Sequence, residues 1–497
     1  MSRNELKIGT VLSMLTIVVS SIIQIVYTPL YMRYLGPGDY GINSLVQSIM
    51  GYISILNLGL GNTMLRYTTR YRAEGRIEEE NSLNGMFLVI FSILMAIAFI
   101  IGVYIYMNIG EFFGERFTFE ELKKTKAVFL ILALNVVISF PMGVFSTNIT
   151  SKEKFIYQRG IKLLTIILNP IAGALLMING FGLIAVTVST VFFAFISYLF
   201  DIVYAFKLGM KIKFSKFNNS ILKEIFLYSF FIFLNVLIDQ IYWGTDRVII
   251  GKYVGVQGIA IYSVGAIFNT LYMGFASAVS GVLFPRINRL IAEDRHSEVD
   301  EMFLKIGRLQ YILLGLISSG FILFGRDFIT LWVGKDYIEA YNIALWIMIP
   351  LTVPLIQSTG VSIMQAKNMH QFRSVVYFII AILNLVLSVI FVKRVGAIGC
   401  AIATGISFIL GQIIVMNIYY KVAVKLDMVK FWKNILKMSI PIGIVMIFGY
   451  VLNSYLSEVN YFNFLIKTSI YTVMYGVLLW VMALNNYEKS QIYIWKK

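Results

Sequence analysis

Asp239, Asp246 and Arg247 stand inside an apolar run, Glu224 to Gly251, long enough to cross a membrane. An ionisable group near the centre of a bilayer costs ~2.5 to 3.5 kcal/mol on insertion scales, so such residues face a cavity or a partner. A spacing of seven residues puts the two carboxylates two turns apart on one helical face, with Arg247 turned ~100° from Asp246. Asn235, Gln240, Tyr242 and Trp243 lie on the same helix and give it a wet face. Two readings suit this arrangement. A carboxylate in a low-dielectric cavity has its pKa raised toward neutrality and can take up and release an ion. Alternatively, the Asp and Arg side chains form a structural network that pins the helix to its neighbours.

Four further cations fall at or just beyond helix ends. Arg33 and Lys252 lie 219 positions apart, and Arg66 and Arg286 lie 220 apart. Arginine suits phosphate because its planar fork offers paired donors and stays charged, so the quartet could serve an anion. Snorkelling of helix-end cations to lipid headgroups is the alternative. Asn57, Asn62, Gln24 and Asn135 either line a cavity or join helices through hydrogen bonds.

The 219-residue offset belongs to a wider duplication. Arg33-Tyr-Leu-Gly36 returns as Lys252-Tyr-Val-Gly255, and in each copy a glycine-containing stretch and an apolar run follow. Arg159 followed by Asn169 returns as Arg373 followed by Asn384. Each copy holds six helices, an even number, so the halves share one orientation about an axis along the membrane normal.

Composition agrees with a membrane-embedded chain. Its 497 residues are 58% hydrophobic, 15% aromatic and 14% charged, with mean hydropathy +0.79, whereas soluble domains carry about 25% charged residues. Runs near ~20 residues long exclude the alternating pattern of an outer-membrane barrel. Apolar runs place helices near 8–32, 40–65, 82–107, 125–148, 160–178, 183–206, 224–251, 257–284, 303–324, 337–366, 373–392, 396–420, 434–452 and 461–484. The first run is too long for a secretion signal and lacks a small-residue cleavage site.

The expectation is an all-α polytopic protein of about fourteen transmembrane helices. Residues 1–215 form an N-lobe, 216–430 a C-lobe, and 431–497 an accessory helix pair with a short tail. Sharp turns are expected at Gly36-Pro37-Gly38-Asp39, an outer loop at 108–124, a basic linker at 207–223 and an amphipathic surface helix at 285–302.

The net charge of +16 does not call for nucleic acid. Divided between the two sides of a fourteen-helix chain, about 30 of the Lys and Arg residues fall on one face and about 12 on the other, the bias of cytoplasmic loops. Both termini then lie in the cytoplasm. Cys400 is the single cysteine, and His296 and His370 show no metal-ligand spacing, so neither a disulfide nor a metal is expected.

At YMRYLGPGDYGINSL, LNLGLGNTMLRY, TDRVIIGKYVG and GAIGCAIAT the chain resembles the Wzx-type polysaccharide flippases. That family sits in the multidrug/oligosaccharidyl-lipid/polysaccharide exporter superfamily. The resemblance covers essentially the whole chain. It implies two lobes around a central cavity that opens alternately to each side of a bacterial cytoplasmic membrane. The cargo it implies is an undecaprenyl-pyrophosphate-linked oligosaccharide, with membrane lipids as surroundings and a polysaccharide polymerase or other assembly proteins as partners.

Arg33, Arg66, Arg247, Lys252, Arg286 and Asn57 are then candidates to hold the anionic head. Asp239 and Asp246 are candidates to couple movement to a proton or sodium gradient, with no other cofactor. No Gly-rich loop followed by Lys-Ser or Lys-Thr provides for ATP hydrolysis. A small-cation or drug antiporter is the alternative within transport, and it calls for a cavity of negative charge. A polymerase or glycosyltransferase would need a substantial outer module with paired carboxylates, and the outer loops are too short for one. A transporter rather than an enzyme is expected.

Overall fold

A computed structural model describes residues 3–214, 219–280, 287, 289–291, 293, 295–367, 369–486, 488 and 489. Among them every regular element is helical and no strand occurs. Helix α1 runs Arg3–Ser54 and is broken at Gly36, whose φ of 80° and ψ of 174° are non-helical. A positive φ suits a residue without Cβ, and Pro37 directly after it tolerates a first helical turn, so the break needs only one residue. The expected turn at 36–39 is therefore a kink between two spans.

A short 3-10 turn, Ile55–Asn57, leads to α2 (Leu60–Ala73), α3 (Ile77–Phe113), α4 (Phe119–Ser151), α5 (Phe155–Ile178), α6 (Leu183–Lys207), α7 (Asn219–Tyr253) and α8 (Val256–Ser280). Then come α9 (His296–Trp332), α10 (Glu339–Ile356), α11 (Ser358–Ala366), α12 (His370–Val395) and α13 (Ile398–Ser407). A π-helical segment, Phe408–Val415, joins α13 to α14 (Met416–Val422), and α15 (Met428–Tyr455) and α16 (Tyr461–Met482) follow.

Among the described residues, thirteen helical stretches are long and apolar enough to cross a membrane, and the first, Val11–Ala73, holds two spans separated at Gly36. The chain is thus a multi-pass membrane protein of the expected fourteen-span class. Several helices outrun their apolar runs. The outer loop expected at 108–124 shrinks to 114–118, because α3 continues to Phe113 and Thr118 caps α4. Thr118 Oγ1 accepts from Glu121 N at 3.3 Å and Glu121 Oε2 accepts from Thr118 N at 2.8 Å, a reciprocal capping box. The single helix expected at 337–366 divides at Gln357, after Pro350 and Pro354. Residues 285–302, expected as a surface helix, lie in part outside the described residues, and from His296 onward they extend α9.

Two compact units divide the chain at Ala260/Ile261, inside α8. In the first unit α1 packs on α4, α5 and α7, α3 on α4, and α4 on α6. The duplication groups α7 with the later helices, and in this structure it lies against α1 and α2. Glycines permit the closest of these approaches: a methyl at Gly41 would collide with the Val256 carbonyl, and one at Gly51 with the Gln240 carboxamide.

In the second unit α10 packs on α9 and α13, α12 on α13, and α15 and α16 on each other and on α9. The contact of α9 with the accessory pair is a core of Phe324, Ile442, Val445, Tyr471, Tyr475 and Leu479. Polar atoms within it are partnered: Tyr471 donates to Ser319 Oγ at 2.6 Å and Tyr475 to Ile312 O at 2.8 Å. Two deep ion pairs add to it. Lys467, 1% exposed, pairs with Asp327 and donates to Asn453 Oδ1 at 2.7 Å, and Arg308 pairs with Glu488.

Candidate functional site

The wet face of α7 meets the second half of α1. Gln240 Nε2 donates to Ser48 O at 3.0 Å, close to where Gly51 leaves room for the carboxamide. Tyr52 shares a short hydroxyl contact with Thr245 and approaches Gln240 O at 3.5 Å. Arg247 Nη1 lies 3.4 Å from Trp243 O and 3.5 Å from Ser48 Oγ, as a donor to both. Asp246 is 2% exposed and within electrostatic range of Tyr52. A carboxylate and a guanidinium are therefore held in the membrane beside hydroxyls and an amide.

Asp239 and Asn235 are exposed, whereas Asp246 is buried. Seven residues of helix set the two aspartates ~10 Å apart, so they share a helix and not one binding point. Farther along α7 the same contact stays polar: Ser229 Oγ meets Thr63 Oγ1 at 2.7 Å, both buried, and Glu224 Oε2 accepts from Tyr67 at 2.8 Å.

Where they are described, the helix-end cations are exposed. Arg33 is exposed near the Gly36 break. Arg66 is exposed and stacks over Tyr228 at 4.8 Å. Lys252 lies over Phe112 at 4.4 Å and borders a cavity of about 540 Å³ shared with Tyr52, Tyr104, Asn108 and Glu111. Arg286 lies outside the described residues. Asn57 borders a cavity of about 470 Å³ with Ser54, Asn62, Thr147 and Thr150, and its buried Oδ1 has no hydrogen-bond partner among the described residues. Asn135 accepts from Tyr198 at 3.4 Å.

Two polar groupings escaped the reading of the sequence. One is a cavity of about 640 Å³ among α4, α5 and α6, lined by Gln158, Arg159, Lys162, Tyr198 and Asp201 with several hydroxyl residues. Its signals were legible: Gln158, Lys162, Thr165 and Asn169 fall at helical spacing on one face of α5, and Asp201 is an ionisable residue within an apolar run, as Asp246 is. The other is a buried set on α12 and α13, where Ser388 Oγ and Thr404 Oγ1 each lie 3.3 Å from Asn384 Oδ1. In the sequence alone, Asn384 stands out only as a mark of the duplication.

Outside the spans, the connection of α4 to α5 carries Lys152, whose Nζ donates to Leu208 O at 2.6 Å. Burial, with Arg72 adding to it and Glu80 opposing, pushes its ammonium below the usual lysine range.

Residues 6–291 match the family described as "Polysaccharide biosynthesis protein". A putative O-antigen transporter of Shigella flexneri is 23% identical over 399 residues, 78% of this chain and 91% of that protein. Among solved structures, the lipid II flippase MurJ superposes with a TM-score of 0.74 at 19% identity, over 95% of this chain and 97% of its own. A multidrug resistance MATE family transporter superposes with a TM-score of 0.63 at 14% identity, over 80% and 92%. At these identities the two structures speak to the fold alone.

Proposed function

We propose, from the premise that the chain belongs to the polysaccharide biosynthesis protein family, that it is a transporter that flips a lipid-linked glycan across the membrane. The cargo is an undecaprenyl-pyrophosphate-linked oligosaccharide, carried from the inner to the outer leaflet of a bacterial cytoplasmic membrane by alternating access. The observation that carries this reading is the likeness to a putative O-antigen transporter across nearly all of that protein's length. The chemistry of the chain supports it. A pyrophosphate with sugars attached must pass a hydrocarbon layer while its tail stays in lipid, so the path needs cations and hydrogen-bonding side chains rather than a reactive centre.

Arg33, Arg66, Arg247, Lys252 and Arg286 take the anionic head in this reading, with Asn57 as an amide contact to it. Asp239 and Asp246 couple the cycle to a proton or sodium gradient. Residues 1–215 and 216–430 act as the two lobes, 431–497 as an accessory pair, and both termini lie in the cytoplasm. A polymerase that consumes the glycan on the outer face is the natural partner. Export of a lipophilic cation fits less well, because the exposed helix-end side chains of Arg33, Arg66 and Lys252 are positive.

Flipping by the purified chain in proteoliposomes tests the reading, using a fluorescent polyprenyl-pyrophosphate oligosaccharide with and without an imposed proton or sodium gradient. Protein-dependent movement is the expected result. Export of lipophilic cations with no movement of the lipid would replace the reading with efflux.

A further inference from the structure

The cavity among α4, α5 and α6 holds charge that the fold itself does not use. Arg159 and Lys162 border it from α5, and among the described residues neither makes an ion pair or a hydrogen bond. Asp201 borders it from α6, and its polar neighbours are Ser146 and Tyr157 rather than either cation. Two cations and one carboxylate leave the cavity with an excess of one positive charge. Charges without a protein partner at the membrane edge are met there by water or by a ligand.

The remaining polar lining is a hydrogen-bonding surface. Gln158 Nε2 donates to Ser146 O and to Thr150 Oγ1, each at 2.7 Å, which fixes the carboxamide at one end. Ser139, Thr165, Ser197 and Tyr198 add hydroxyls around the same space. At about 640 Å³ the cavity is far larger than a lone phosphate requires and lies within the ~300 to 1,000 Å³ range of small-molecule sites.

Depth is set by the helix ends. Arg159 is four residues and Lys162 seven residues into α5, ~6 and ~10 Å from its start, and Asp201 is six residues, ~9 Å, from the end of α6. The end of α4, the start of α5 and the end of α6 meet at one end of the bundle, where Lys152 ties α4 to Leu208. That end carries the basic connections, which the charge bias assigns to the cytoplasm. The cavity thus lies at the depth of inner-leaflet head groups.

We infer that the α4–α5–α6 cavity is a binding site for a sugar phosphate head group, with Arg159 and Lys162 on the phosphate and Asp201 and Gln158 on sugar hydroxyls. Phosphate alone would engage the two cations and make no use of the carboxylate, amide and hydroxyl groups that share the cavity with them. A hydroxyl-rich group next to the phosphate meets both sets. The inference rests on the glycan-flippase reading and gives that cargo a contact within the first unit, separate from the α7 face.

Affinities of the purified full-length chain in detergent test it, measured by thermophoresis with three probes: farnesyl pyrophosphate carrying one N-acetylglucosamine, farnesyl pyrophosphate alone, and dioctanoyl phosphatidylglycerol. Arg159→Gln with Lys162→Gln should weaken both pyrophosphates at least tenfold. Asp201→Asn should weaken the sugar-bearing probe at least threefold and leave the bare pyrophosphate within twofold. Ser197→Trp, which keeps every charge and fills the cavity, should abolish preference for the sugar-bearing probe.

Wild-type binding that stays within twofold in all three variants would overturn the inference and leave the flippase reading standing. Equal, Arg159-dependent binding of phosphatidylglycerol that displaces the sugar-bearing probe would assign the cavity to ordinary lipid head groups, and overturn it too. If the wild type binds neither pyrophosphate and moves no lipid in vesicles, both readings fall together.

Discussion

Arg308 and Glu488 meet as a two-point ion pair, Nε to Oε1 at 2.6 Å and Nη2 to Oε2 at 2.8 Å, with both side chains almost fully buried. The guanidinium also donates to Ala483 O at 2.8 Å and to Asn434 Oδ1 at 3.2 Å. One residue of α9 therefore holds the start of α15 and the chain beyond α16. Lys467 of α16, bound to Asp327 on α9 and to Asn453 near the end of α15, ties the same three helices at another level.

Removing one partner of such a buried pair leaves a desolvated charge and costs about 3 to 5 kcal/mol. Glu488→Gln should therefore lower the thermal unfolding midpoint of the detergent-purified protein by several degrees. Glu74→Gln breaks only the exposed contacts with Arg70 and Arg76 and should leave it unchanged. Equal midpoints for the wild type and Glu488→Gln would show that the pair does not hold the accessory helices.

Close packing of α1 sets a second expectation. At Gly41 an added methyl meets the backbone carbonyl of Val256, which cannot rotate away, so the helix must shift. Gly41→Ala should destabilise by about 1 to 3 kcal/mol, the usual range for overpacking. At Gly61 the nearest atom to an added methyl is Thr147 Oγ1 at 3.9 Å, an ordinary contact. Gly61→Ala should be neutral or slightly stabilising through helix propensity. Thermal unfolding of the two variants side by side checks the contrast.

Apolar runs marked where the chain crosses the membrane, and the helices follow them. They did not mark where helices stop. Hydropathy falls after Met107, but backbone hydrogen bonding carries α3 on to Phe113, since a helix leaving the membrane need not end there. The site was legible in part for a related reason. Asp246 and Arg247 stand out because charge inside an apolar run is rare, yet their surroundings, Ser48 and Tyr52, lie almost two hundred residues earlier. The partners of Arg308 and Lys467, 180 and 140 residues away, carry no local signal at all.

Lys152 gives a pH dependence with a definite sign. Its folded-state pKa is depressed by burial and by Arg72, so the unfolded chain binds the proton more tightly. Between the depressed value and the ordinary lysine value of ~10.4, stability rises with pH. Below that window the penalty is constant and fully present. Lys152→Met removes the penalty together with the hydrogen bond to Leu208. The stability of the wild type relative to Lys152→Met should then increase as pH rises from 8 through this window. A difference that stays flat or shrinks, in thermal unfolding measured at each pH, would reverse the assignment.

Asp246 carries the sharpest functional expectation, because burial separates it from the exposed Asp239 on the same helix. Asparagine keeps the shape and the hydrogen-bonding edge of aspartate while removing its charge and its proton. If Asp246 couples the cycle, Asp246→Asn should still bind the lipid-linked glycan but lose the acceleration that an imposed gradient gives. Asp239→Asn tests the second carboxylate separately, and a loss confined to one variant assigns coupling to that residue. Vesicle flipping rates with and without the gradient decide it. Full gradient dependence in Asp246→Asn would return this side chain to a structural role, bracing α7 beside Arg247, and would move the search for the coupling group to Asp239.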